Sequence, residues 1–158
     1  MPIGSDEFRA VLGRFASGVT VLTVRKPDGE DHGMTASAFC SVSLMPPLVL
    51  ACIEHNTEMH GLIQTAEHFG VNILEESQEA LSRRFAELPA GRFDGLGYTR
   101  AESGVVLLDD ALAQMECRVV TRHEAGDHLI VVGEVDWAEV QSGRPLLYYR
   151  GGYAQLER

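Results

Sequence analysis

Apolar positions along this chain follow two rhythms, one of three to four residues and one of two, in short alternating bursts. Phe8, Val11, Leu12 and Phe15 recur at helical spacing. Ser5 stands before them, with Asp6 and Glu7 on the favourable side of the helix dipole. That predicts a helix capped at Ser5 and closed by Gly18. "VTVLTVR" (19–25) is rich in β-branched residues and reads as a strand, and "KPDGE" as a turn. A second strand returns through "GMTASAFCSVSLMPPL" (33–48) to a double proline. "LVLACI" (48–53) is a short apolar run of the buried-strand kind. Thr57 is placed to cap a short helix through "EMHGLIQTAE". "FGVNIL" (69–74) predicts another strand, and "SQEALSRRFAEL" (77–88) an amphipathic helix with Leu81 and Phe85 on one face. "PAGRFDGLGY" (89–98) predicts a glycine-rich, exposed loop.

The last third alternates like β-structure throughout. "ALAQMECRVVTRH" (111–123) leads through the turn "EAGD" into "HLIVVGEVDWAEV" (128–140), and "SGRP" precedes a final strand "LLYYRGGY". A four-residue loop between the two long strands would set His123 opposite His128. Many strands, a few short helices and no βαβ rhythm predict a mainly β fold with short helices, a barrel rather than a doubly wound sheet. The length suits a single domain over 1–158.

Charge then narrows the function classes. A formal net charge of −10 argues against nucleic-acid binding, which needs clustered Lys and Arg, but leaves room for a small phosphorylated ligand. Three widely spaced cysteines, Cys40, Cys52 and Cys117, read as free thiols of a reducing compartment. The first residues show no secretory pattern, and Pro46–Pro47 with the neighbouring Ser and Thr argue against a membrane span in the uncharged run 33–53. A cytoplasmic protein is expected.

Familiar catalytic signatures are missing: no GxGxxG opening a helix, no phosphate loop, no GxSxG and no HExxH. His55/His60 and His123/His128 have five-residue spacing, which fits neither one helical face nor a zinc finger, so no metal site is expected. In extended form, Thr35 and Ser37 share one face and Ala36 and Ala38 the other. Such small side chains suit either a wall that a planar ligand can approach or a hairpin whose hydroxyls satisfy local backbone groups.

"RFASGVTVLT", "GMTASAFCSVSLMPPLVLACI", "FGVNIL" with "RRFA", "GDHLIVVGEV" and "PLLYYRGGY" occur in that order. Together they resemble the flavin reductase-like family, the FMN-binding split-barrel group that includes the reductase components of two-component flavin monooxygenases. The resemblance implies a split β-barrel, a homodimer, and hydride transfer from NADH or NADPH to FMN or FAD. Reduced flavin would then pass to a partner monooxygenase. Thr35, Ala36, Ser37 and Ala38 correspond to the segment lining the flavin ring, and Ser41 and Val42 continue that wall. Ile53, Glu54, His55, Asn56 and Thr57, with His60 beyond, match the region near the ribityl chain and phosphate. Phe85 resembles a residue packed near the flavin, and Tyr148, Arg150 and Tyr153 fall in the segment closing the pocket. His128 of "GDH" resembles the histidine near the nicotinamide and is the catalytic candidate.

In "HNTEMH", Asn56 and Thr57 retain donors for a phosphate, whereas Glu58 would repel one if it pointed inward. His32, His68 and His123 read as structural or solvated, Trp137 as packing or a dimer contact, and Arg83 and Arg84 as a solvated helix face. A flavin-binding electron carrier or redox sensor without turnover is the competing class, and an oxidase of another small substrate a third. NADH consumption in the presence of added flavin separates them.

Overall fold

The computed structural model describes residues 1–157. Helix α1 (Ser5–Leu12) leads to a two-residue strand β1 (Ser17–Gly18) and then to β2 (Thr20–Arg25). The turn after β2 closes as its sequence demands. Lys26 N–H donates to Glu30 C=O at 2.7 Å, Asp28 accepts from Glu30 N–H at 2.9 Å, and Gly29 takes φ +90°. β3 (Asp31–Ala36) returns antiparallel to β2. The predicted single strand then breaks at Ser37–Ala38, and β4 (Phe39–Ser43) resumes before β5 (Leu48–Glu54). Next come α2 (Glu58–Ile63), β6 (His68–Ile73), α3 (Glu79–Glu87), β7 (Tyr98–Arg100) and β8 (Val106–Leu108). The long strands β9 (Ala113–Ala125) and β10 (His128–Val140) precede β11 (Leu146–Tyr149) and β12 (Gly152–Gln155).

Seven strands form one antiparallel sheet in the order β3-β2-β6-β9-β10-β5-β4. Its two edge strands, β3 and β4, are consecutive in the chain and separated only by Ser37 and Ala38. Two residues span about 7 Å, so the sheet must curl until its edges meet at that corner. The result is the split β-barrel that the sequence implied. A small sheet, β1-β11-β12, and the β7-β8 pair complete the β-structure among the described residues.

Strand alternation divides the core in two. On β2, Leu22 and Val24 join Ile53, Phe69, Leu129 and Val131, plugged by Met59 and Ile63 of α2. The neighbouring residues Val19 and Val21 face Leu74, Phe85, Val106 and Leu146 on the other side. Gly133 on β10 is needed for this packing. A Cβ there would lie 2.6 Å from the Phe69 ring, and the β9–β10 register shifts at that residue. Among the described residues, no helix is long and apolar enough to cross a membrane.

Several expectations change. Gly4, not Ser5, is the N-cap of α1, and Gly13 rather than Gly18 ends the helix. None of its apolar residues is buried. Gly126 and Asp127 alone turn β9 into β10, with Gly126 at φ +62°, so a two-residue turn replaces the four-residue loop. His128 therefore sits opposite Ala125, and His123 opposite Ile130. The final strand is a hairpin, β11–β12, whose turn residues Arg150 and Gly151 both have positive φ, +52° and +75°. The glycine-rich loop is exposed as expected and is fastened to the barrel: Arg92 donates to Gly33 C=O at 2.6 Å, Arg84 donates to Gly91 and Asp94 carbonyls, and Phe93 packs on Phe85.

Candidate active site

The corner between the two sheet edges is built from beneath by α3. Thr35 Oγ donates to Ser82 C=O at 2.6 Å, and the buried Ser82 hydroxyl meets the Tyr153 hydroxyl at 2.7 Å. Phe85 is fully buried, with its ring against Gly33 and edge-on to Phe93 at 5.0 Å. A side chain at Gly33 would collide with that ring, its Cβ standing 2.7 Å away. Phe85 supports the wall from behind, while the half-buried Thr35 and Tyr153 tie it to α3. Ala36 is likewise buried. Ser37 and Ala38, where the strand breaks, are exposed.

In front of the corner lies an open cleft of about 760 Å³. Ser37, Ala38, Tyr148 and Arg150, which the resemblance assigns to one pocket, line it together. The strained turn at Arg150 is fastened by its own N–H, which donates to Gly13 C=O at 2.9 Å. The opposite wall was not foreseen. It is α1 with the turn after it, contributing Phe8 and Arg9 from the helix and Arg14 and Phe15 from the turn. The exposure of the α1 apolar face was the missing signal, because a helical stripe reads as core until its partner is known. Ser41 and Val42 lie on the outer edge strand β4, exposed and at a register shift, outside this cleft.

A second wing adjoins the first. Cys52 N–H donates to Ala38 C=O at 2.9 Å, so the corner touches β5 two residues before Glu54. Ile53 points into the core and is 1% exposed, so it too is structural. Glu54 pairs with His128 across β5–β10. His128 Nδ1 lies 2.7 Å from Asp127 Oδ1, and this hydrogen bond holds the Asp127 carboxyl below its usual range. An ionised carboxylate only accepts, so Nδ1 carries the proton, and Nε2 of the neutral ring is an acceptor. Thr57 caps α2: its hydroxyl donates to Glu54 C=O at 2.8 Å and accepts from His60 N–H at 3.2 Å. That hydroxyl proton is spent on the fold, so of the two expected phosphate donors Asn56 alone keeps a free side chain.

Glu58 does not threaten a bound anion. Lys26 Nζ sits 3.1 Å from one of its oxygens and the buried His32 Nδ1 3.2 Å from the other. The hydrogen bond to Lys26 lowers the Glu58 carboxyl and raises the lysine. Desolvation outweighs the Glu58 charge at His32 and pushes that imidazole down, so it is neutral at pH 7. His55 and His60, which the resemblance places near a phosphate, lie ring against ring. Their ring centroids are 4.6 Å apart, and His55 Nε2 is 2.7 Å from Glu124 Oε2. The five-residue spacing that fits no helical face is bridged by the turn before α2, and with Glu124 it forms a group of metal-competent side chains.

The flavin reductase-like domain model matches residues 12–157. The chain belongs to the flavin reductase-like family. The reductase component of a 4-nitrophenol 4-monooxygenase/4-nitrocatechol 2-monooxygenase from Rhodococcus opacus is 42% identical over 98% of this chain and 83% of its own length. An FMN reductase (NADH) from Agrobacterium fabrum is 41% identical over 98% of this chain and 87% of its own. Among solved structures, an NADH:FAD oxidoreductase of Streptomyces globisporus, in complex with NAD and FAD fragments, superposes with a TM-score of 0.90. It is 38% identical, over 96% of this chain and 92% of that one. Within this flavin reductase-like chain, sequence reasoning missed Ser82 as the link from α3 to the corner, Asp127 as the partner of His128, and Glu124 as the partner of His55. Only Asp127 had a signal in reach, since "GDH" places a carboxylate beside the histidine at a turn.

Proposed function

We propose that this chain is an NADH-dependent flavin reductase that passes hydride from the nicotinamide to FMN or FAD and releases reduced flavin to a partner monooxygenase. The observation that carries this reading is the corner at Ser37–Ala38. There both sheet edges meet, and among the described residues no strand pairs the outer sides of β3 and β4. Edge backbone groups that no further strand pairs, flanked by small side chains, suit a planar heterocycle with alternating donors and acceptors. Arg9, Arg14 and Arg150 around the cleft supply positive charge suited to flavin or dinucleotide phosphates. The residues present therefore fit a flavin.

When bound, the flavin supplies the hydride acceptor, and the protein supplies position and electrostatics. Ser37 and Ala38 set the approach distance to the ring, and the Thr35–Ser82–Tyr153 chain of hydrogen bonds keeps that edge from shifting. Tyr148 and Arg150 close one side of the cleft. His128, with its Nδ1 proton fixed by Asp127, offers Nε2 to a carboxamide N–H of the nicotinamide or holds a proton beside it.

The proposal takes the chain as one reductase domain acting as a homodimer in the cytoplasm. Exposed Phe15, Leu44, Met45 and Val140 support a second copy covering apolar surface, and three unpaired thiols suit a reducing compartment. The test is absorbance at 340 nm, with purified protein, NADH or NADPH, and FMN or FAD in all four combinations. Flavin-dependent NADH oxidation is the expected result. Flavin binding with no NADH or NADPH oxidation would overturn the reading.

A further inference from the structure

We propose that His55, His60 and Glu124 form a binding site for a divalent transition metal of the zinc class, at the tip of the β9–β10 hairpin. The three residues come from three separate elements: the turn after β5, helix α2, and the end of β9. One ligand atom from each lies within 4.8 Å of the other two. His55 Nε2 and Glu124 Oε2 already touch at 2.7 Å, and the two imidazoles stand at 4.6 Å with a 50° tilt. Zinc bonds of about 2.0–2.2 Å in a tetrahedron place ligand atoms roughly 3.4 Å apart, so sub-ångström side-chain shifts complete three corners and leave the fourth to water.

Gln64 Nε2 stands 2.8 Å from His60 Nε2 and Glu124 Oε2 2.7 Å from His55 Nε2, contacts that the ion would replace as the imidazoles give up protons to bind it. The scaffold is preset as well. His55 N–H is held by Asp127 C=O at 2.9 Å, and the Thr57 cap donates nothing to the site but fixes the first turn of α2, including His60 N–H at 3.2 Å. Two imidazoles and one carboxylate favour zinc, nickel or copper over magnesium or calcium, which ask for oxygen ligands. The exposure of His55 and Glu124 leaves the site open to ions from solution.

Calorimetry and equilibrium dialysis of the metal-free protein with zinc sulfate test the site. A Cys40→Ser background removes the exposed thiol as a competing ligand. One equivalent of Zn²⁺ is expected to bind, and Glu124→Gln or His60→Ala should each weaken it at least tenfold. Zinc should raise the melting temperature of the parent but not of Glu124→Gln. Absence of zinc uptake, or uptake unchanged in both variants, would overturn the proposal. Glu124 lies outside the proposed reductase machinery, so Glu124→Gln should reduce flavin normally in chelator. The metal site and the reductase reading can therefore fail separately.

Discussion

Asp127 fixes the proton on His128 Nδ1 and so decides which ring nitrogen faces a ligand. His128→Ala should lower kcat/KM for NADH by about 10²-fold, the low end for a positioned proton-transfer group. Asp127→Asn, which can donate where the carboxylate only accepts, should reverse the ring preference and lose a smaller part of that rate. Steady-state kinetics with both variants checks this, and parent-like kinetics in both would remove His128 from the reaction. His32 tells the opposite story, because burial rather than partnership governs it. Its folded pKa is depressed below the ordinary histidine value, chiefly by desolvation, and that of Glu58 is depressed by its hydrogen bond to Lys26. Groups depressed in the folded state stabilise fully above their unfolded values and lose that contribution as pH falls through the folded ones. Stability should therefore drop in two steps on acidification, the first beginning below about 6.5 and the second below about 4.3. His32→Gln should abolish the first step and keep the second, as followed by urea midpoints across pH 4–8.

Elements are where sequence and structure part company, and each difference has a local cause. β2, β5, β6 and α3 were legible because their apolar positions carry a single period and pack into one or other of the two buried clusters. The α1 stripe had the right period but no core to face, since it borders the open cleft. The β9–β10 register turned on Gly126: a glycine able to take φ +62° shortens the loop by two residues and moves His128 away from His123. "LLYYRGGY" hid a hairpin because Arg150 occupies a conformation that usually calls for glycine or asparagine. Of the site, the Ser37–Ala38 wall, Tyr148 and Arg150 were readable through the family resemblance. The burial of Phe85 and Ile53 was not, because packing depth depends on neighbours distant in sequence. Gly33 marks that depth. Gly33→Ala should destabilise by about 1–3 kcal/mol, as overpacking against a buried ring does. Restoring space with Phe85→Leu should recover part of the loss in urea unfolding.

At the scale of the whole molecule, the exposed apolar groups collect on segments that the barrel leaves uncovered. Leu44 and Met45, 87% and 89% exposed, cap the β4–β5 connection, and Phe15 is 80% exposed beside the cleft. On the proposed homodimer, the double variant Leu44→Asp/Met45→Asp should lower the mass seen in light-scattering chromatography to that of one chain, without loss of far-ultraviolet circular dichroism. Unchanged mass would place the contact elsewhere. The corner at Ser37–Ala38 has one more consequence. A curled sheet whose two edge strands are paired by no further strand still offers backbone groups along them, the surface on which chains add to one another into aggregates. A heterocycle seated at that seam would shield it as a neighbouring strand would, so the ligand doubles as a solubilising cover. Turbidity on prolonged warming should accordingly fall when FMN or FAD is added without any nicotinamide, and Ser37→Lys should protect the flavin-free protein in the same way.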